Sequence, residues 1–173
     1  MAVLPICVVP NPVLRQKAKQ VNRISDSVKK LIVDMLETLH SANGVGLAAP
    51  QVGVPLRVIV ICLPEQESIV LINPSVVKKK GEREVNEGCL SVPGYVGTIK
   101  RAESVTVKGR DPSGKEVRIK ADELLAQALE HEIDHTNGIL YLDHLESLDD
   151  LREVEPGQEE AEETDNGERS RTA

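Results

Sequence analysis

Phenylalanine and tryptophan are absent from the 173 residues, and tyrosine occurs only as Tyr95 and Tyr141. Aliphatic side chains must therefore do the packing, and 40% hydrophobic residues suffice for the core of one domain of this length. Cysteine is scarce as well. Three residues, Cys7, Cys62 and Cys89, cannot make a disulfide framework and point to a reducing compartment. No run approaches 18 apolar residues. The N-terminus also lacks a charged stretch followed by an apolar one, and Pro5 and Pro10 interrupt what apolar character there is. These absences argue against secretion and membrane insertion and place the chain in the cytoplasm.

The strongest positive signal is His131-Glu132-Ile133-Asp134-His135. On a helix, side chains at i and i+4 share one face, so the two imidazoles can hold one cation while Glu132 reaches water bound to it. The helix itself is legible. Asp122 offers an N-cap, the following residues contain no breaker, and Asn137-Gly138 is a C-terminal stop. Leu124, Ala128, His131 and His135 follow one stripe, so the imidazoles continue the buried face. Two ordinary helical histidines would be the bland alternative.

A catalytic site of this kind needs a third protein ligand and an open position. Downstream choices are poor: the position where a metzincin carries its third ligand holds Tyr141, and His144 falls three residues too late. Upstream, Glu87-Gly88-Cys89-Leu90-Ser91-Val92-Pro93-Gly94 sets a cysteine among Gly, Glu and Ser, and its thiolate could complete a Cys-His-His set. Cys7 and Cys62 lie among apolar neighbours and read as core filler. A third segment, Gly44-Val45-Gly46-Leu47-Ala48-Ala49-Pro50-Gln51-Val52-Gly53, lacks the Lys and Ser/Thr of a phosphate loop. Its glycines at 44 and 46 let another backbone approach, and Gln51 brings an amide donor; a plain structural turn is the alternative.

These three segments, in this order and spacing, resemble the peptide deformylases, and the resemblance covers roughly residues 3 to 148, including Val9-Pro10-Asn11-Pro12-Val13-Leu14-Arg15. It implies one divalent metal ion held by Cys89, His131 and His135, with water in the open position, Glu132 as general acid/base, and Gln51 and the Leu90 backbone N–H stabilising the oxyanion. The implied reaction removes the N-formyl group from the formyl-methionine of new polypeptides and releases formate. The substrate's backbone would run along Gly44, Val45, Gly46 and Gly88, with its Met side chain near Val45, Leu124 and Ala128. Fe(II) enters by resemblance alone, because one thiolate and two imidazoles suit Zn, Ni or Co equally. The partners implied are N-formylmethionyl nascent peptides, with a transient ribosome contact left open. Glu130 and Thr136 depart from the family's usual Gln and Leu; Glu130 reads as surface charge and Thr136 as a loosened contact.

The rest of the chain reads as α+β, with short, mostly antiparallel strands around a central metal-binding helix. Asp26 to about Ala42 is a helix with Val28, Leu31, Ile32, Met35, Leu36 and Leu39 inward, stopped at Asn43-Gly44. Strands are expected at 57–63, 69–72, around 84–85, at Ile99, and at 103–108 and 116–120, the last two joined by a turn at Asp111-Pro112-Ser113-Gly114. Lys78-Lys79-Lys80 reads as a solvated turn. Residues 1–150 form the catalytic domain and 151–173 an acidic, disordered tail, which carries three Arg against seven Glu and one Asp from Arg152 onward and argues against direct nucleic-acid binding. Two other readings remain: a zincin-type endopeptidase, which casein cleavage would reveal, and a non-catalytic metal-binding module, which would bind metal without hydrolysis.

Overall fold

The computed structural model describes residues 1–155. Its frame is a five-stranded antiparallel sheet in the order β1 (Gly46–Ala48), β2 (Val58–Ile61), β3 (Ile69–Lys80), β6 (Ser104–Arg110), β7 (Glu116–Asp122). A second, three-stranded sheet is made of β4 (Arg83–Cys89), β5 (Val92–Arg101) and β8 (Leu151–Glu153), again antiparallel. Helix α1 spans Asp26–Ala42 and helix α2 Glu123–Thr136.

The centre of the large sheet is covered on both faces, which explains why Val58-Ile59-Val60-Ile61 reads as a continuous apolar run and not an alternating one. Ile59 and Ile61 turn towards α2, where they join Ala126, Leu129 and Ile133. Val58 and Val60 turn the other way, onto Ile32, Met35 and Leu39 of α1. Branched and linear aliphatics fill both layers, as the lack of Phe and Trp requires. Truncating a wholly buried member such as Ile59 to Ala would cost about 2–5 kcal/mol.

Helix α1 begins at a Ser25 N-cap whose Oγ accepts from the Val28 N–H, and it ends with Asn43 in the left-handed region, as expected from Asn43-Gly44. Asp122 does hold the N-cap position of α2, but its side chain makes no bond to the helix. At the other end Gly138 is required twice over: its φ is +73°, and a Cβ there would meet the Arg15 carbonyl oxygen at 2.6 Å. The helix is buried almost all round, more completely than a single apolar stripe predicts.

Several expectations change. Glu130 is buried, not a surface charge: it accepts from the Ala102 N–H at 3.0 Å and pairs with Lys79 at 2.9 Å. Thr136 is buried too, its hydroxyl donating to the Ile133 carbonyl at 2.6 Å. Lys78-Lys79-Lys80 continues β3 instead of turning, and the turn falls at Gly81. Cys7 and Cys62 are both half-buried, and Cys62 packs against the core layer that holds Val58 and Val60. The pairing of Tyr95 with Glu153, Val96 with Arg152 and Gly97 with Leu151 carries the fold past the expected boundary at residue 150. The remainder of the expected tail, residues 156–173, lies outside the described residues.

Candidate metal centre

Three segments converge because three different elements place them. Helix α2 supplies His131, Glu132 and His135; β4 delivers Cys89 at its last residue; and the short 3-10 turn Ala49–Val52 after β1 supplies Gln51. Cys89, His131 and His135 are all buried, and their ligand atoms lie within 4.8 Å of one another. The two imidazole Nε2 atoms are 3.2 Å apart, and Cys89 Sγ is 3.4 Å from His135 Nε2.

Those spacings test the fit to a metal directly. Tetrahedral coordination with about 2.0–2.1 Å to nitrogen and about 2.3 Å to sulfur separates nitrogen from nitrogen by roughly 3.3 Å and sulfur from nitrogen by roughly 3.5 Å. The nitrogen–nitrogen separation of 3.2 Å and the sulfur–nitrogen separation of 3.4 Å both match these values. Burial and its neighbour's charge keep His135 well below the usual imidazole range, while Glu87 and Cys89 overcome burial to hold His131 well above it.

Behind the donors runs a chain of charges. Glu87 bonds His131 Nδ1, leaving Nε2 to face the centre. Arg101 holds Glu87 through two bonds, of 3.0 and 2.5 Å, and reaches Asp134 at 2.7 Å; His144 also bonds Asp134, at 2.9 Å. Burial would raise the Glu87 carboxyl, but His131 and Arg101 hold it down at about 2. Glu132 differs. Burial pushes its carboxyl up to about 7 against the opposing pull of His131, and its Oε2 has no protein partner among the described residues.

Gln51 is fixed at both ends of its amide. Its Oε1 accepts from the Ala48 N–H at 2.9 Å, and its Nε2 donates to Ser91 Oγ at 3.1 Å and lies 3.6 Å from Cys89 Sγ. Leu90 sits in the two-residue turn between β4 and β5.

A cavity of about 370 Å³ opens in front of these groups. Its wall includes every residue expected at the substrate: Gly44, Val45, Gly46, Gly88, Leu124 and Ala128. Gln51, Cys89, Leu90, His131 and Glu132 reach it as well, whereas His135 stands behind it. Gly46 has a reason the sequence reading did not supply. A Cβ there would lie 2.5 Å from Glu132 Oε1, so its bareness makes room for the carboxylate and not only for a ligand backbone.

Glu87 and Gln127 also line the cavity, and the sequence reading gave no role to them or to Arg101, Asp134 or His144. Glu87 was detectable, since it lies two residues before Cys89 on the same strand. Arg101 was not: it meets Glu87 only through the folding of β4 on β5.

Comparison with known proteins agrees with this geometry. Residues 3–150 match the family model described as polypeptide deformylase. The chain is 57% identical over 164 residues to the peptide deformylase of Dehalococcoides mccartyi strain CBDB1, covering 94% of this chain and 98% of that protein. It is 52% identical over 144 residues to that of Halothermothrix orenii, covering 83% and 94%. Among solved structures, a peptide deformylase from Legionella pneumophila superposes with a TM-score of 0.83 at 43% identity, covering 99% of this chain and 98% of that one. One from Synechococcus elongatus, in complex with actinonin, gives 0.82 at 42%, covering 85% and 83%.

Proposed function

The chain belongs to the polypeptide deformylase family, and from that premise we propose how its own residues divide the reaction. It is a metal-dependent hydrolase that removes the formyl group from the amino-terminal formylmethionine of newly made polypeptides. The observation that carries our assignment of roles is the convergence of three buried donors beside a carboxylate, with Cys89, His131 and Glu132 in the wall of one cavity.

We assign the ion to Cys89, His131 and His135, and we take it to be Fe(II), with Zn, Ni or Co acceptable to the same donors. When bound, such an ion lowers the pKa of its water from about 15.7 towards 7 and so supplies a nucleophile at neutral pH. Glu132, its carboxyl pushed up to about 7 by burial, is placed to accept a proton from the attacking water and to return it to the nitrogen that leaves. Gln51 Nε2 and the Leu90 N–H donate to the formyl oxygen as charge develops on it; the bond from Ala48 to Gln51 Oε1 keeps the donor end of that amide turned inward. Glu87 and Arg101 hold His131 with Nε2 towards the centre. Val45, Leu124 and Ala128 receive the methionine side chain, and the Gly44–Gly46 and Gly88 backbones align the peptide. The unpaired thiols of Cys7, Cys62 and Cys89 suit a reducing cytoplasm.

Formate release from a formyl-Met tripeptide tests the reading, using protein purified without oxygen and with metal counted on the same sample. Formate at about one metal per chain, lost in Glu132→Ala with metal retained, supports it. Metal without formate would refute the role assignment.

A further inference from the structure

In a chain of net charge −7, the outer face of β3-β6-β7 is basic. Register puts Lys78 and Lys80 of β3, Lys108 and Arg110 of β6, and Arg118 and Lys120 of β7 on one exposed surface. Only two carboxylates share the paired positions, Glu116 opposite Arg110 and Asp122 opposite Ser104. Among the described residues none of the six cations enters an ion pair, although Lys79, between two of them, does so with buried Glu130. Lys108 and Arg118 are directly opposite across the strand pair, an arrangement that costs stability when nothing anionic covers it.

The surface does not end at the sheet. Lys108 and Arg110 also line an open cleft of about 610 Å³, where Lys17 and Arg57 add two cations and Glu116 is the sole acidic residue. Ser75 and Asn137 add donors able to bond phosphate oxygens, while the Asn73 amide in the same wall is held by the Val21 backbone. The face and cleft lie apart from the catalytic cavity and share no residue with it. Aromatic rings, the usual platforms for unstacked bases, are missing: the chain's two tyrosines lie at 95 and 141, on other elements.

We propose that this face docks the phosphate backbone of double-helical RNA, reading shape and charge without base contacts. Cations spaced roughly 7 Å apart along each strand, with no stacking groups between them, suit a helix backbone better than a single strand. The choice of RNA rests on the substrate reading above, because new polypeptides emerge beside RNA; the electrostatic argument does not depend on it. The acidic composition after residue 151 argues against binding by the chain as a whole; the face itself carries six cations against two carboxylates.

The test uses the full chain, a 20-base-pair RNA duplex, and a poly-glutamate peptide of equal charge. Wild type binds the duplex, and raising salt from 50 to 200 mM weakens binding about 10³-fold, as roughly six phosphate contacts require. Lys108→Thr with Arg118→Thr lowers affinity at least tenfold at 50 mM salt and reduces the log–log salt slope by about 2. The same variant melts no lower than wild type, because a like-charged pair has been removed, and it releases formate from the tripeptide at the wild-type rate. Failure of wild type to bind, a variant that binds as wild type does, or tighter binding of poly-glutamate than of RNA would overturn the proposal. Loss of formate release in wild type would instead indict the catalytic reading.

Discussion

Gly46→Ala should disable the enzyme through a single methyl group. The added Cβ would meet Glu132 Oε1 at 2.5 Å and Cδ and Cγ at 2.9 Å, whereas ordinary contact begins at 3.4 Å. The carboxylate must therefore retreat by about 0.9 Å, the difference between 3.4 and 2.5. It is buried, so it cannot simply swing into solvent. Displacement of a catalytic group by about 1 Å costs about 10² in rate, and overpacking costs about 1–3 kcal/mol of stability. We expect kcat/KM for the formyl-Met tripeptide to fall about 100-fold, a lower unfolding midpoint, and unchanged metal content, since the three atoms nearest the new methyl all belong to Glu132. The decisive comparison is a double-mutant cycle. In a Glu132→Ala background the methyl has nothing to displace, so Gly46→Ala should add little further loss. Additive losses, or near-wild-type activity of the single variant, would refute the reasoning.

Gln51→Ala removes one oxyanion donor and should raise the barrier by about 2.7–4 kcal/mol with metal content intact; loss of metal would show that the amide is needed to hold Cys89. Arg101→Met leaves buried Glu87 with His131 as its one partner of the pair that holds it, so urea unfolding should reveal a loss of up to about 3–5 kcal/mol, and an unchanged midpoint would deny the charge chain its structural weight. Chelation should abolish formate release reversibly and lower the melting temperature. For metal at 100 times its Kd the lost stabilisation is about 2.7 kcal/mol, or about 5–11 °C for a domain of this size; an unmoved melting curve would contradict a metal held by the folded state.

Much of the site was legible because its chemistry is local in sequence. His131, Glu132 and His135 are one helix turn apart, and the glycines of the 44–53 segment sit beside the amide of Gln51. Helix α1 and the β6–β7 hairpin were legible for the same reason, through apolar spacing and the Asp111–Gly114 turn, where Asp111 Oδ1 accepts from the Ser113 and Lys115 N–H groups. What failed to show was tertiary. Glu130 looks like a surface charge until β3 and the end of β5 close over it with Lys79 and the Ala102 N–H. Leu151–Glu153 looks like the start of an acidic tail, and becomes a strand only because β5 offers an open edge. Gly46 belongs to a recognisable segment, but the carboxylate that forbids it a side chain comes from 86 residues away.

We propose that one ion on Cys89, His131 and His135 works with Glu132 on the formyl group. Anaerobic titration of metal-free protein with ferrous iron, following formate release and bound iron together, tests it most directly. Activity should rise in proportion to bound iron and level at one ion per chain, with Glu132→Ala binding the same single ion in silence. Formate release by the metal-free protein, a plateau at another stoichiometry, or an active Glu132→Ala variant would contradict it.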